Sequence, residues 1–219
     1  MTTITPVRPS EIESQSFRII EKEFEAQTGL RSSQINPDCF QVIRRVIHAT
    51  GDFDFGHSLI FGNRPIEAAV ESIRSGRDIY IDVSMGAAGI SARIIEQFGG
   101  RIKCHINDAE IAAKARHEGK TRTETALEKL TGSDIGIIAV GNAPTALVAA
   151  MTLINDGKIN PALVVGVPVG FVNAVESKEI LTAQSFPFIT NKGRKGGTPV
   201  AVAIVNALLR LATRAVDQD

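Results

Sequence analysis

The sequence predicts an α/β protein: a three-layer α/β/α sandwich around a mainly parallel, doubly wound sheet, preceded by N-terminal helices. Two observations lead there. From residue 79 onward, short apolar runs rich in Ile and Val alternate with helical segments, and unalternated runs of that kind suit strands covered on both faces. Ahead of residue 76 the apolar residues recur at helical spacing instead. With 219 residues, 43% of them hydrophobic, the chain can bury a substantial core, and its length fits one domain, 1–219, better than two small ones.

In chain order, Ser10 with Glu13 makes a capping-box pattern ahead of EIESQSFRIIEKEFEAQ, and Asn36-Pro37 supplies an N-cap and a first-turn proline for DCFQVIRRVIHAT. Gly51 can close that second helix. Ile66, Ala69, Val70 and Ile73 mark a third helix from Pro65 to Ser75, stopped by Gly76. The predicted strands are IYIDV (79–83), RIKCHI (101–106), IGIIAV (135–140), ALVVGV (162–167) and PFIT (187–190). Between them, helix starts are signalled by Asn107 with Glu110, Thr121 with Glu124, Asn142 before Pro144, and Asn173 with Glu176. An apolar helix, TPVAVAIVNALLRLAT, closes the fold; there is no fixed-period repeat, low-complexity tract or linker.

Lysine plus arginine (24) balance aspartate plus glutamate (24), so no global field attracts nucleic acid or an anionic membrane. An anionic ligand must be held by a local cluster. Cys39 and Cys104 match no metal-ligand spacing and make no disulfide framework, so they are expected to be buried thiols in a reducing cytoplasm. The first residues lack a basic region followed by an apolar one, and no apolar stretch approaches the roughly 20 residues of a membrane span. A soluble, unprocessed cytoplasmic protein is the expectation.

In an open parallel sheet, ligands collect beyond the carboxyl ends of the strands. Three segments fall there: GNAPTA (141–146), GVPVGFVNAVESK (166–178) and the basic turn NKGRKGGT (191–198). Their glycines permit close backbone approach, and Lys178, Lys192, Arg194 and Lys195 supply positive charge. Each alone is also an ordinary turn; three on one edge suggest a shared anionic site. DVSMGAAGI (82–90) resembles half a dinucleotide fingerprint but lacks the G-x-G-x-x-G spacing.

Of the four histidines, His57, His105 and His117 read as structural or surface residues. His48 is placed differently. On a helical wheel Cys39, Phe40, Val42, Ile43, Val46 and Ile47 share an apolar arc, whereas Gln41, Arg44, Arg45 and His48 occupy the other. That polar face is either a solvated surface or the wall of an anion site or subunit interface.

The ordered set SFRII (16–20), VIHATGD (46–52), DVSMGAAGI, GKTRTETAL (119–127), VGNAPTAL (140–147), GVPVGFVNAVESKE (166–179) and GRKGGT resembles the precorrin-8X methylmutase family over nearly the whole chain. The resemblance implies migration of a methyl group from carbon eleven to carbon twelve of a corrin precursor, metal-free or cobalt-bearing, with no cofactor and no protein-bound metal. It also implies a homo-oligomer, a dimer or larger, with the tetrapyrrole at a subunit interface. The family's proposed acid matches His48, the serine before its Phe-x-Ile-Ile helix matches Ser16, and the arginine of its T-R motif matches Arg122. On this reading Arg122, Asn142, Lys178, Lys192, Arg194 and Lys195, with backbone N–H groups after the strands, would hold the substrate's acetate and propionate groups. Two alternatives stand beside it: a Rossmann-like adenosylmethionine-dependent methyltransferase, suggested by the sheet pattern, and a non-enzymatic tetrapyrrole carrier, suggested by the charged loops.

Overall fold

The computed structural model describes residues 8–214. After a short 3-10 turn, helix α1 (Ile12–Thr28) and helix α2 (Pro37–Thr50) form an antechamber to the sheet. A one-turn helix α3 (Phe55–Ser58) leads into strand β1 (Leu59–Gly62), followed by α4 (Pro65–Arg74) and β2 (Asp78–Ile81). Two short helices, α5 (Ser84–Gly89) and α6 (Ala92–Gln97), lead to β3 (Ile102–Lys103). Then come α7 (Ala109–Glu118), α8 (Arg122–Glu128), β4 (Ile135–Val140), α9 (Pro144–Asn155) and β5 (Leu163–Gly166). The chain ends on α10 (Ala174–Thr182), β6 (Phe188–Asn191) and α11 (Thr198–Thr213).

The six strands lie in the order β1-β6-β5-β4-β2-β3, parallel except for β1, which runs antiparallel to β6. The apolar runs are continuous because alternate residues serve opposite layers. On one face Ile79, Ile81, Ile137, Ala139, Val165 and Ile189 pack beneath α2, α4 and α11. On the other Tyr80, Ile138, Val140, Val164 and Phe188 meet α8, α9 and α10. This is the predicted doubly wound sandwich. All six residues of β4 are buried, and so are most of α11, whose 198–213 span matches its sequence signal.

Several local expectations are corrected. Strand β1 was not anticipated: Leu59–Gly62 is four residues long and lies inside an aromatic-rich stretch without strand periodicity. The expected strand 101–106 pairs only at Ile102 and Lys103, so Cys104 and His105 leave the sheet and His105 hydrogen-bonds Asp108 at 2.9 Å. Asn36 does cap α2, accepting from the Asp38 and Cys39 amides, and Thr121 with Glu124 forms a complete capping box. Ser10, Asn107 and Asn142 cap nothing: α1 is entered through the 3-10 turn with Glu11 at its N-cap position, and Asp108 and Ala143 stand at the N-cap positions of α7 and α9 without a side-chain cap bond. Asn173 stands at the head of α10 in a left-handed conformation, φ 60°, which turns its side chain away from the helix amides. Both cysteines are free and half-buried rather than fully buried.

Candidate active site

The strand order makes β2 and β4 neighbours whose onward connections leave over opposite faces, α5 and α6 on one side and α9 on the other. Such a switch point opens a crevice at the carboxyl ends. In it lies Asp82, fully buried, just past the end of β2. Its carboxylate accepts hydrogen bonds from the Gly141, Asn142 and Ala143 amides at 3.1, 2.9 and 3.0 Å. Burial raises its pKa, and the three amide bonds counter that effect. The amides at the head of α9, expected to be open to a ligand, are therefore filled by the protein's own carboxylate.

Beyond this clamp, the Asn142 side chain is exposed. The Thr145 hydroxyl meets those of Thr121 and Thr123 at 3.3 and 3.5 Å, joining the start of α9 to the start of α8. Arg122, the first residue of α8, is exposed at that junction. Gly141 is required by close approach: a Cβ there would stand 2.7 Å from the Thr198 Cα.

A second group gathers where α1, α2 and the loop after β6 meet. His48, in the last turn of α2, is exposed and lies edge-on to Phe17, with ring centroids 5.4 Å apart. Arg44 and Arg45 cover the same ring at 4.2 and 5.2 Å. The polar face of α2 is thus neither bare nor uncompensated, because Arg44 pairs with Glu21 and Arg45 with Glu13. Burial works to raise the Glu13 carboxyl, but Arg45, then Arg210 and His48, hold it below its ordinary value. A cleft of about 300 Å³ over this cluster is lined by Glu13, Phe17, Arg44, Arg45, Arg210 and Arg214. Ser16 sits one residue before Phe17, its hydroxyl donating to the Ile12 carbonyl at 2.8 Å.

The same end of α2 reaches the basic turn. Lys195 bonds Asp52 and Asp54, both at 2.6 Å, and those carboxylates raise its pKa. Lys178 is 2% exposed and lies under the turn, donating to the Lys195 carbonyl at 2.8 Å; desolvation pulls its pKa down to about 8. Asn191 holds the same carbonyl at 2.7 Å. Gly196, at φ 143°, lets the turn pass over β5: a Cβ there would stand 2.3 Å from the Val167 carbonyl oxygen. Lys192 and Arg194 are exposed, and the Arg194 guanidinium lies 5.2 Å from the centre of the Phe171 ring. Phe171 and Val172 are 82% and 77% exposed.

The structure therefore brings Lys178, Lys192, Arg194 and Lys195 together at the turn after β6, ties that turn through Asp52 to the segment following the helix of His48, and places Arg122 and Asn142 at the switch point. Among the described residues no hydrogen bond or ion pair joins the two groups. Sequence reasoning missed Asp82, whose signal was an acidic residue directly after an apolar strand run. It also missed Asp52 and Asp54 as partners of Lys195. Among the described residues no group of three His, Cys, Asp or Glu side chains could hold a metal ion, and no helix is long and apolar enough to cross a membrane.

A doubly wound sheet with exposed basic side chains beyond its carboxyl edge has the architecture of the α/β proteins that bind anionic organic ligands. The sequence profile of the family described as precorrin-8X methylmutase matches residues 11–211. A cobalt-precorrin-8 methylmutase of Priestia megaterium is 41% identical over 97% of this chain and 92% of its own. A precorrin-8X methylmutase of Pseudomonas aeruginosa is 37% identical over 89% and 91%. The solved precorrin-8X methylmutase of Thermus thermophilus superposes with a TM-score of 0.84 at 36% identity, covering 94% of this chain and 97% of that one. The chain belongs to the precorrin-8X methylmutase family, and it is an isomerase of cobalamin biosynthesis.

Proposed function

We propose that the chain moves a methyl group from carbon eleven to carbon twelve of precorrin-8X or its cobalt-bearing counterpart, giving hydrogenobyrinate or cobyrinate, with His48 as the general acid. The carrying observation is the placement of His48: exposed at a helix end, steadied by Phe17, and linked through the segment at Asp52 to the basic turn. The reaction is an isomerisation, so atoms balance without a methyl donor or oxidant. His48 delivers a proton to a ring nitrogen, which makes the conjugated system electron-poor and favours migration; the proton returns once the methyl has moved. Orientation does much of the rest.

Arg122, Lys192 and Arg194 have no carboxylate partner among the described residues, so they are available to the peripheral carboxylates, with Asn142 as a hydrogen-bonding group beside Arg122; Ser16, on α1, would have to give up its bond to the Ile12 carbonyl to donate to the substrate. Lys195 reaches such a group by exchanging Asp52 or Asp54 for it. Lys178 acts beneath the turn by fixing its backbone. The aromatic face of Phe171 beside Arg194 suits a flat macrocycle with acidic rims.

We place the enzyme in the cytoplasm as a homo-oligomer. The polar face of α2 lends this no support, since Arg44 and Arg45 are paired within the chain. Support comes from the carboxyl edge, where Met85, Phe171 and Val172 are strongly exposed. Light scattering is expected to give at least a dimer; a fully active monomer at micromolar concentration overturns an interface site. For the reaction itself, purified chain is incubated with metal-free and cobalt-loaded precorrin-8, with no other addition, and the visible spectrum is followed. Conversion of either supports the mutase and names its substrate. Turnover only with adenosylmethionine, or binding without turnover, would favour the methyltransferase or the carrier.

A further inference from the structure

What holds Asn142 and Arg122 in place lies in the backbone beneath them. Neither has a side-chain hydrogen bond among the described residues, yet both must meet the substrate in a fixed geometry for orientation to help the reaction. The backbone beneath Asn142 is held by Asp82 through three amide bonds, two to one carboxylate oxygen and one to the other. No cation pairs with this acid among the described residues; its charge is balanced by those amides and by the head of α9. An amide of the same shape offers one acceptor oxygen in place of two, so only a carboxylate can hold all three amides at once.

From the clamp, physical contact continues to Arg122. Thr145 lies two residues beyond Ala143, and its hydroxyl reaches Thr121 and Thr123, which flank Arg122 at the start of α8. We infer that Asp82 is a positioning residue for the methyl migration: by clamping Gly141–Ala143 it sets Asn142, and through the Thr145–Thr121 contact it sets Arg122, against the substrate's carboxylates. The inference rests on the proposed substrate class. It gives Asp82 no contact with the macrocycle and no part in proton transfer.

Asp82→Asn keeps the size of the side chain but removes the charge and turns one acceptor into a donor, so at least one of the three amides loses its partner. In the full chain, below its melting temperature and with wild-type circular dichroism, titration with hydrogenobyrinate is expected to show about tenfold weaker binding. KM should rise more than kcat falls, whereas loss of a proton donor acts chiefly on kcat. In an Arg122→Ala background the same change should cost less than in the wild type, and with Asn142→Ala added it should cost less than about threefold, because Arg122 and Asn142 are the groups it acts through.

Thr145→Val breaks the hydroxyl contact without touching the buried charge, so it tests the same linkage in a variant that keeps the clamp. It should weaken binding about two- to threefold, and this loss too should vanish in Arg122→Ala. Wild-type affinity and KM in folded Asp82→Asn, a loss on Asp82→Asn that stays about tenfold when both Arg122→Ala and Asn142→Ala are present, or a silent Thr145→Val overturn the inference while leaving the mutase reading intact. A wild-type chain that neither binds hydrogenobyrinate nor turns over precorrin-8 overturns both.

Discussion

Replacing Lys178 by methionine keeps most of the side chain's volume and removes its charge. The amine is almost wholly buried and its pKa is lowered to about 8 by desolvation, against an ordinary 10.5. Below pH 8 the folded and unfolded chains both hold the proton, so the residue contributes no slope there. Between about pH 8 and 10.5 the unfolded chain binds more protons, and wild-type stability must rise with pH relative to the variant. At 1.36 kcal/mol per unit, the difference should grow by about 2 kcal/mol from pH 7 to pH 9.5. Cys39 and Tyr80, whose pKa values burial raises, pull stability the other way in this range, but they are common to both proteins and cancel in the difference. At pH 7 the variant should lose little, because Asn191 still serves the Lys195 carbonyl that the amine leaves. Urea unfolding of both proteins at half-unit pH steps gives the curve. A difference that stays flat from pH 7 to 9.5 refutes the account of Lys178 as a desolvated cation beneath the turn.

His48→Ala is expected to lose about 10²–10⁴-fold in turnover while keeping product affinity within a few-fold, since a proton donor matters chiefly as the methyl moves. His48→Asn, scored in the same spectral assay, separates proton delivery from hydrogen bonding: near wild-type rate in that variant removes the acid role. Arg122→Ala should instead weaken product binding roughly ten- to a hundredfold, and the wild-type affinity it lacks should be the part that falls with added salt. Equal salt dependence in the two proteins counts against an Arg122–carboxylate pair. Gly141→Ala should lose about 1–3 kcal/mol in urea unfolding, because the new methyl meets the Thr198 backbone, which cannot rotate aside; unchanged stability contradicts that packing.

The layer architecture was legible because its signals are dense and local. Ile135–Val140 is apolar at every position, which only a strand covered on both faces requires, and Asn36-Pro37 with Gly51 frames α2 by cap chemistry confined to a few neighbouring residues. Strand β1 was not legible: it is short, antiparallel and paired with a segment more than a hundred residues away, so nothing near Leu59 announces it. The same limit applied to the site. His48 stood out on a helical wheel and Arg122 through motif resemblance, but the partners that decide what a charge can do are distant in sequence. Lys195 meets Asp52 and Asp54 across some 140 positions, and Asp82 meets Gly141 across 59. Spacing along a chain cannot separate a lysine held by two carboxylates from one open to a ligand.

Helix α11 carries one further consequence. It packs against α2 and α4 and supplies much of the core beneath one face of the sheet, yet it is the last element of the described chain. During synthesis the helix bearing His48 therefore emerges long before the element that buries its apolar side. Until α11 has emerged, Val42, Val46 and Ile47 lack their neighbours in it, and the nascent chain exposes an apolar face. A chain cut before α11 would leave that face bare and should be degraded sooner than one that carries the helix.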